Sequence, residues 1–238
     1  MDKFFNKNIK CVILCAGKGS RLNEPELPKS MVSIKNKPIL HYIIDYWKNF
    51  TDNFIFVVGY KKKKIIEYVK TLDIKYEFIE QKELKGIGYA VSLVENYVDK
   101  KFIVVLGDCL CKGEFEFPVN MEQGIGVWET SNTEDIRRSY SVEIEKDKVI
   151  KVVEKPKVII NNLCGMGFYF FDKIIFEYIK ITPPSFLRNE IEITDVIQKM
   201  IDGREHISPV FYNGFYININ CREDLIIAEK FLGNENRD

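Results

Sequence analysis

The sequence lacks an excess of charge of either sign. Its 238 residues include 35 Lys and Arg against 35 Asp and Glu, so the formal net charge at neutral pH is zero. A chain without a dominant positive field is poorly suited to binding nucleic acid or an anionic membrane over its whole surface. We therefore expect neither as a partner, and any binding of anions must be local.

Long hydrophobic runs are also lacking. No uninterrupted apolar segment approaches the ~18 residues of a membrane span, and residues 1–8 carry charges without the apolar core of a leader sequence. We therefore expect a cytoplasmic protein. The hydrophobic content of 46% is sufficient for the buried core of one large α/β domain or two small ones.

Histidine is scarce, and the cysteines do not show the spacing of a zinc site. The two histidines are isolated, and no second Cys or His pair accompanies Cys109 and Cys111. Cys11, Cys15 and Cys109 lie in or at the end of apolar segments, and a chain of this size does not need crosslinks to be stable. Buried free thiols are therefore favoured over disulfides.

Two common nucleotide-binding signatures are missing. No G-x-x-x-x-G-K-[ST] occurs, and Leu22 stands where the dinucleotide fingerprint that begins at Gly17 would need its third glycine. The second strand-like segment ends at Gly59 and Tyr60, without the acidic residue that receives a ribose in NAD-binding folds. A Rossmann oxidoreductase is therefore disfavoured, and we expect no binding of NADH.

The first half of the chain alternates two kinds of segment. Apolar segments rich in β-branched residues lie at 11–15, 54–58, 75–79 and 102–106, and segments of helical periodicity lie at 39–47, 65–69 and 90–97. This alternation predicts βαβ units, a mostly parallel sheet with helices on both faces, and a ligand site at the carboxyl ends of the strands.

The pattern changes after about residue 118. Strand-like segments lie at 126–130, 140–144, 149–153, 167–171 and 207–219, and helices are predicted at 173–179, 193–201 and 223–232. No linker or repeat separates the halves, so we expect a single domain over residues 1–238 with a substrate-binding second half.

A glycine turn follows the first predicted strand. Gly17 and Gly19 permit positive φ and allow backbone N–H groups to approach a phosphate closely. The loop continues through Arg21 to Lys29 among prolines that exclude a regular helix. Two cations beside exposed amides are suited to holding a triphosphate.

The stretch Leu14-Cys-Ala-Gly-Lys-Gly-Ser-Arg-Leu22, followed by Pro28-Lys29 and Lys37-Pro38, resembles the signature of a known family. This is the nucleotidyltransferase family of sugar-1-phosphate pyrophosphorylases, or NDP-sugar synthases. The resemblance covers almost the whole chain. It implies a single Rossmann-like, GT-A-like domain, with a nucleotide-binding half at about 1–117 and a smaller β-rich, sugar-phosphate-binding half at about 118–238.

The resemblance also implies a nucleotide and metal site. Gln81 and Gly86 stand in a segment that resembles the one with which the family contacts a pyrimidine base, and Asp108 resembles the family's Mg²⁺-binding aspartate. Asn218 stands where most relatives carry a second metal-binding Asp; its amide oxygen can still coordinate Mg²⁺, or Mn²⁺, without contributing charge. The nucleotide-binding residues implied are Leu14, Ala16, Gly17, Gly19, Ser20, Arg21, Lys29, Gln81, Gly86 and Asp108.

On the acceptor side, Glu154-Lys155-Pro156 resembles the family's E-K-P, in which the glutamate contacts sugar hydroxyls and the lysine contacts the sugar phosphate. The segment that ends in Ile193-Thr-Asp195 resembles the family's G-E-x-E-I-T-D, and we expect Thr194 to be a helix N-cap. The acceptor-binding residues implied are Ser141, Glu154, Lys155, Gly165, Glu190 and Glu192.

The implied activity joins a nucleoside triphosphate to a phosphorylated acceptor, a sugar 1-phosphate or similar phosphomonoester, and releases pyrophosphate. The residues assigned to catalysis are Arg21, Lys29 and Lys155. The spacing of Gln81 and Gly86 favours UTP or dTTP, with CTP as an alternative because a flipped amide would serve cytosine. A nucleotide-binding sensor without catalysis is an alternative of another class, because residues 141, 165 and 218 depart from the family pattern.

Overall fold

The computed structural model describes residues 8–17, 19, 22, 24, 26–186 and 188–233. Within them the strands are β1 (Lys10–Cys15), β2 (Ser33–Ile34), β3 (Lys37–Pro38), β4 (Asn53–Val58), β5 (Lys75–Glu80), β6 (Lys101–Leu106), β7 (Cys109–Glu116), β8 (Gly124–Glu129), β9 (Tyr140–Glu145), β10 (Lys148–Glu154), β11 (Leu163–Asp172) and β12 (Ser208–Asn218). The α-helices are α1 (Ile39–Trp47), α2 (Lys62–Val69), α3 (Ile87–Ser92), α4 (Thr133–Arg138), α5 (Ile175–Ile181), α6 (Ile193–Asp202) and α7 (Arg222–Gly233), and a short 3-10 helix spans Lys29–Met31.

A single ten-stranded sheet passes through both halves of the chain. Its main path has the order β5-β4-β1-β6-β11-β8-β12-β7, and β9 pairs with β10 and β11 beside that path. Strands β5, β4, β1 and β6 are parallel, whereas β11 joins β6, β8 and β9 in antiparallel register. The predicted α/β class is confirmed, with a parallel central part and a second part rich in antiparallel strands.

The parallel strands are buried on both faces. Within β1, Cys11 and Ile13 pack on one side of the sheet with α1, α2 and α7, while Val12 packs on the other side with α3, α5 and α6. Successive side chains of a strand point to opposite faces, so a strand that is covered on both sides must be apolar throughout. The continuous apolar segments in the sequence follow from this arrangement.

The fold differs from the sequence-based predictions in several places. The helix predicted at 90–97 is α3, which begins at Ile87 and is followed by turns over 93–97. Strand β7 was not predicted, because Cys-Leu-Cys lacks strong β-forming residues. It is an edge strand that pairs with β12 along its whole length, so its strand conformation comes from tertiary context.

All six cysteines carry free thiols, and four of them, Cys11, Cys15, Cys109 and Cys164, are buried. Among the helices of the described residues, none is long and apolar enough to cross a membrane.

Candidate active site

A cavity of about 360 Å³ opens at the carboxyl ends of the parallel strands. Residues that follow β1, β5 and β6 line one side of it, and residues that follow β10 and precede α6 line the other. Ligands of open α/β sheets bind at this end of the strands, because the loops there diverge and leave a crevice.

Most of the site residues predicted from the sequence line this cavity, although they come from both halves of the chain. They are Leu14, Ala16, Gly17, Lys29, Gln81, Gly86, Asp108, Glu154, Lys155, Glu190 and Glu192.

A second cavity of about 470 Å³ adjoins the first. Asp108, Glu154 and Lys155 line both cavities, and Asn218 lines the second one. The two spaces therefore meet at one carboxylate from the first half of the chain and one acid–base pair from the second half.

The remaining predicted residues are placed differently. Gly19 has a φ of 62°, and a Cβ there would lie 2.5 Å from the Lys29 Cβ, so the lysine packs directly on its backbone. Ser20 and Arg21 lie outside the described residues. Ser141 is buried in β9 and Gly165 in β11, and the Tyr140 ring, which lines the second cavity, occupies the space where a Gly165 side chain would be.

The ammonium of Lys29 joins two oxygen atoms from distant parts of the chain. Its Nζ donates to Asp108 Oδ2 at 2.5 Å and to Asn220 Oδ1 at 3.1 Å. Because a full positive charge is shared between a carboxylate and an amide oxygen, these two oxygens form a place for a cation. The role of Asn220 was missed from the sequence, although it lies only two residues beyond the predicted Asn218.

Asp224 holds Asn220 in this position. Its Oδ2 accepts hydrogen bonds from the backbone N–H groups of Asn220, at 2.7 Å, and Cys221, at 3.0 Å. An acid in the first turn of a helix that reaches back to preceding amides satisfies donors that would otherwise be free. Arg138 Nη1 lies 3.4 Å from Asp224 Oδ1 and adds charge to the cluster.

Asn218 ends strand β12 opposite Cys109. Its Oδ1 is buried and has no hydrogen-bond partner in the described part of the chain. A buried, unpaired amide oxygen is costly unless something binds it. Asn218 lines the second cavity with Asp108 and Asn220, and carboxylate and amide oxygens are donors of the type that Mg²⁺ prefers. The described residues contain no group of three or more His, Cys, Asp or Glu suited to a metal, so such a site would mix carboxylate and amide donors.

Glu154 and Lys155 both line the cavities although they are adjacent in sequence. Lys155 has a φ of 44°, and its N–H donates to the Ser139 carbonyl at 2.8 Å. This left-handed residue turns the chain at the end of β10, so that neighbouring side chains need not point to opposite faces. The Lys155 Nζ lies 3.2 Å from Glu154 Oε1, and Thr194 Oγ1 donates to Glu154 Oε2 at 3.2 Å.

The expectation that Thr194 is a helix N-cap is wrong. Helix α6 begins at Ile193, and its N-cap residue is Glu192, which makes no side-chain capping bond. Thr194 is buried inside the first turn, and its hydroxyl donates a hydrogen bond to the Glu154 carboxylate instead. The residue therefore orients a side chain of the site rather than capping the helix.

A second acid–base pair precedes α6. Arg188 Nη1 lies 3.1 Å from Glu192 Oε1, and both side chains line the first cavity with Glu190. Burial raises the pKa of Glu192, and the nearby negative charge of Glu154 raises this pKa further.

Ile191 connects the two sides of the cavity. Its N–H donates to the Lys85 carbonyl and its carbonyl accepts from the Gly88 N–H, both at 2.8 Å. Gly86 between them has a φ of 94°, and a Cβ there would lie 2.5 Å from the Ile191 oxygen. The segment that carries Gln81 and Gly86 is thus attached to the segment that carries Glu190 and Glu192.

Residues 10–216 match the model of the family described as Nucleotidyl transferase. The chain belongs to this nucleotidyl transferase family. The family membership predicted from the glycine loop and the Pro-Lys motif is thereby confirmed.

Curated relatives support the same family. The chain is 37% identical over 223 residues to the bifunctional protein GlmU of Methanocaldococcus jannaschii, covering 93% of this chain and 53% of that protein. It is 30% identical over 238 residues to the UTP–glucose-1-phosphate uridylyltransferase AglF of Haloferax volcanii, covering 95% and 98%. The chain spans about half the length of the first of these relatives and nearly the whole length of the second.

Solved structures share the fold. A UDP-glucose pyrophosphorylase complexed with UDP-glucose has a TM-score of 0.79 at 22% identity, covering 96% of this chain and 99% of that one. The inositol-1-phosphate CTP transferase from T. maritima has a TM-score of 0.78 at 21% identity, covering 95% and 96%.

Besides Asn220, the cavity residues Arg188 and Arg138 were not predicted from the sequence. Arg188 precedes Glu190 by two residues and lies in an irregular segment, where no periodicity distinguishes a site residue. Arg138 ends α4, a helix that was not predicted. A signal for Arg188 exists, since a cation beside Glu190 and Glu192 balances charges that would otherwise repel each other.

Proposed function

We propose that this member of the nucleotidyl transferase family transfers a nucleotidyl group from UTP or dTTP to a sugar 1-phosphate. The products are an NDP-sugar and pyrophosphate. The observation that carries the proposal is the pair of adjoining cavities that meet at Asp108, Glu154 and Lys155. The nucleotide would lie on the side of the first cavity that carries Gln81 and Gly86, and the acceptor would lie near Glu154 and Lys155, where the two cavities meet. The similarity to AglF over nearly its whole length supports a sugar 1-phosphate as acceptor.

In the proposed reaction, an oxygen of the acceptor phosphate attacks the α-phosphorus of the nucleotide. A new phosphorus–oxygen bond forms, the bond to the β-phosphate oxygen breaks, and pyrophosphate leaves with the electron pair. No general base is required, because the acceptor phosphate is already an anion near neutral pH. Catalysis then consists of positioning and charge stabilisation.

Lys29 and Lys155 supply the positive charge in this scheme. Lys29 would bind the triphosphate, and Lys155 would bind the acceptor phosphate and reduce the repulsion between the two substrates. Arg188 is a further cation on the acceptor side, where it lines the first cavity. Arg21 is assigned to the triphosphate on the family resemblance alone.

The residues present fit a divalent cation. Asp108 would hold Mg²⁺ or Mn²⁺ with the amide oxygens of Asn220 and Asn218, and the unpartnered Oδ1 of Asn218 supports this assignment. When bound, the ion would neutralise phosphate charge in the crevice. The Lys29 ammonium on Asp108 and Asn220 supports a preference for positive charge at this point.

Gln81 supports a uracil or thymine base over cytosine. Its amide nitrogen donates to the Glu83 carbonyl at 3.1 Å, which leaves Oε1 to accept a hydrogen bond. The N3 of uracil and thymine carries a hydrogen, whereas the N3 of cytosine is an acceptor. CTP remains the competing nucleotide.

The acceptor would be a hydroxylated molecule. Glu154, Glu190 and Glu192 offer carboxylate oxygens around one side of the cavity, and carboxylates accept hydrogen bonds from sugar hydroxyls. The buried Glu192 is paired with Arg188, so its charge is partly balanced before any substrate binds.

The test is a matrix of nucleotides against sugar 1-phosphates, with Mg²⁺ present and release of pyrophosphate measured. UTP or dTTP with a hexose 1-phosphate should give the highest kcat/KM, and CTP should give less. If nucleotides bind but no combination releases pyrophosphate, the protein is a sensor and the proposal is wrong.

A further inference from the structure

Cys109 follows Asp108 directly and is almost completely buried, with 1% of its surface exposed. Its Sγ lies 3.6 Å from Asp108 Oδ1 and 3.3 Å from the Tyr216 hydroxyl. The Tyr216 oxygen in turn accepts a hydrogen bond from the Gly167 N–H at 3.1 Å. These contacts form a continuous polar chain inside an otherwise apolar part of the sheet.

The direction of this chain follows from its two ends. The Gly167 N–H can only donate, and an ionised Asp108 can only accept. The Tyr216 hydroxyl therefore donates its hydrogen to sulfur, and the Cys109 thiol donates its own hydrogen to Asp108 Oδ1. Each donor polarises the next, which strengthens a thiol hydrogen bond that would be weak in water.

Packing leaves the thiol little freedom. A Cβ on Gly167 would lie 2.5 Å from Cys109 Sγ, so the glycine provides the space that the sulfur occupies. The Tyr216 ring lies 5.6 Å from the rings of Trp128 and Phe168 in edge-to-face contact. Because sulfur and hydroxyl are both confined, the position of the hydrogen bond to Asp108 is fixed by the fold.

The other parts of Asp108 are held independently. Its backbone carbonyl accepts from the Ile219 N–H at 2.9 Å, which fixes the main chain. Its Oδ2 carries the Lys29 ammonium at 2.5 Å. The rotation of the carboxylate about its own axis is then set by what binds Oδ1, and among the contacts of the described residues that is the thiol of Cys109.

We propose that Cys109 is a positioning residue: its thiol holds Oδ1 of Asp108 so that Oδ2 faces the cation. This inference rests on the proposed function, in which Asp108 binds the divalent ion. A partner that orients a metal-binding carboxylate typically affects metal affinity by about 10- to 100-fold.

The experiment measures binding of Mn²⁺ alone, by electron paramagnetic resonance of the free ion, to the full chain without nucleotide. Cys109→Ala should weaken Mn²⁺ binding about tenfold. Cys109→Ser keeps a donor and should lose less than Cys109→Ala. Tyr216→Phe keeps the thiol but removes the hydroxyl that directs it, so its loss should also be smaller than that of Cys109→Ala.

Cys111→Ala is the matched control, since Cys111 lies on the same strand and contacts Tyr46 and Tyr212 rather than Asp108. It should bind Mn²⁺ as the wild type does. Thermal unfolding of each variant checks that it is folded. Equal losses in Cys109→Ala and Cys109→Ser would point to packing alone and overturn the inference.

Asp108→Asn separates the inference from the proposed function. If Asp108→Asn loses Mn²⁺ binding and turnover while Cys109→Ala binds Mn²⁺ normally, the positioning role is wrong and the proposed function stands. If Asp108→Asn binds Mn²⁺ and turns over like the wild type, Asp108 does not hold the ion and the positioning role of Cys109 is wrong with it. If the wild type itself releases no pyrophosphate, the proposed function is wrong.

Discussion

The two sides of the first cavity are lined by different kinds of chemical group. The side proposed to bind the nucleotide consists largely of backbone and small residues that follow parallel strands or precede α3, such as Ala16, Gly17 and Gly86. The side proposed to bind the acceptor consists of charged side chains, such as Glu154 and Lys155, that lie at the end of an antiparallel strand or precede a helix. A backbone surface is set by the fold, whereas a side-chain surface depends on contacts among its members and can change residue by residue.

The largest expected effect comes from Lys29, the cation proposed to bind the triphosphate. Lys29→Ala should lower kcat/KM by about 10²- to 10³-fold, the range for loss of one group that stabilises developing charge. The protein should stay folded. Lys70→Ala, which removes an exposed lysine at the end of α2, is the matched control and should turn over normally. Steady-state rates of pyrophosphate release give kcat/KM for both variants. Equal values for Lys29→Ala and Lys70→Ala would refute the proposed role of Lys29.

On the acceptor side, Lys155→Met should raise the KM for the sugar phosphate by about 10- to 100-fold. A hydrogen bond to a charged group contributes about 1.5–3 kcal/mol, which corresponds to this range. The KM for the nucleotide should change much less. If both KM values rise together, the two sides are not separate binding surfaces and the comparison fails.

A substitution at Gly86 tests how strongly the backbone surface depends on conformation. Gly86→Ala should reduce the free energy of unfolding by about 1–3 kcal/mol, because φ is 94° and the new methyl meets the Ile191 carbonyl. Gly17→Ala is the control, since a Cβ there meets nothing within 4 Å. Urea denaturation compares the two, and equal stabilities would contradict the described geometry.

The smallest effect concerns pH. The pKa of Glu192 is raised in the folded protein, so the folded state holds this proton more tightly than the unfolded chain does. The resulting stability is present below the usual glutamate pKa and is lost as the pH rises through the raised pKa. The unfolding free energy of the wild type minus that of Glu192→Gln should therefore fall as the pH rises above about 4. A flat difference would show that Arg188 cancels the effect of burial.

Much of the nucleotide side could be predicted from the sequence. Apolar strands followed by Gly17 and Asp108 show both a strand-like pattern and a motif. The parallel sheet places the ends of these strands at one edge, so residues recognised separately in the sequence lie together in the structure. Asn220 and Arg188 could not be found in this way. Their positions depend on the bonds from Asp224 and to Glu192, which are tertiary contacts without a sequence period. The hydroxyl of Thr194 was misassigned for the same reason.

The two hydrogen bonds of Ile191 give the molecule a mechanical constraint. A ligand that displaces residues 85–88 must either carry Ile191 along or break both bonds, so the loops on the two sides cannot adjust separately. The first substrate to bind would supply the free energy needed to order residues 85–88 and Ile191. The second substrate would then bind to segments that are already ordered. Because this coupling is reciprocal, each substrate would increase the affinity of the protein for the other substrate by the same factor.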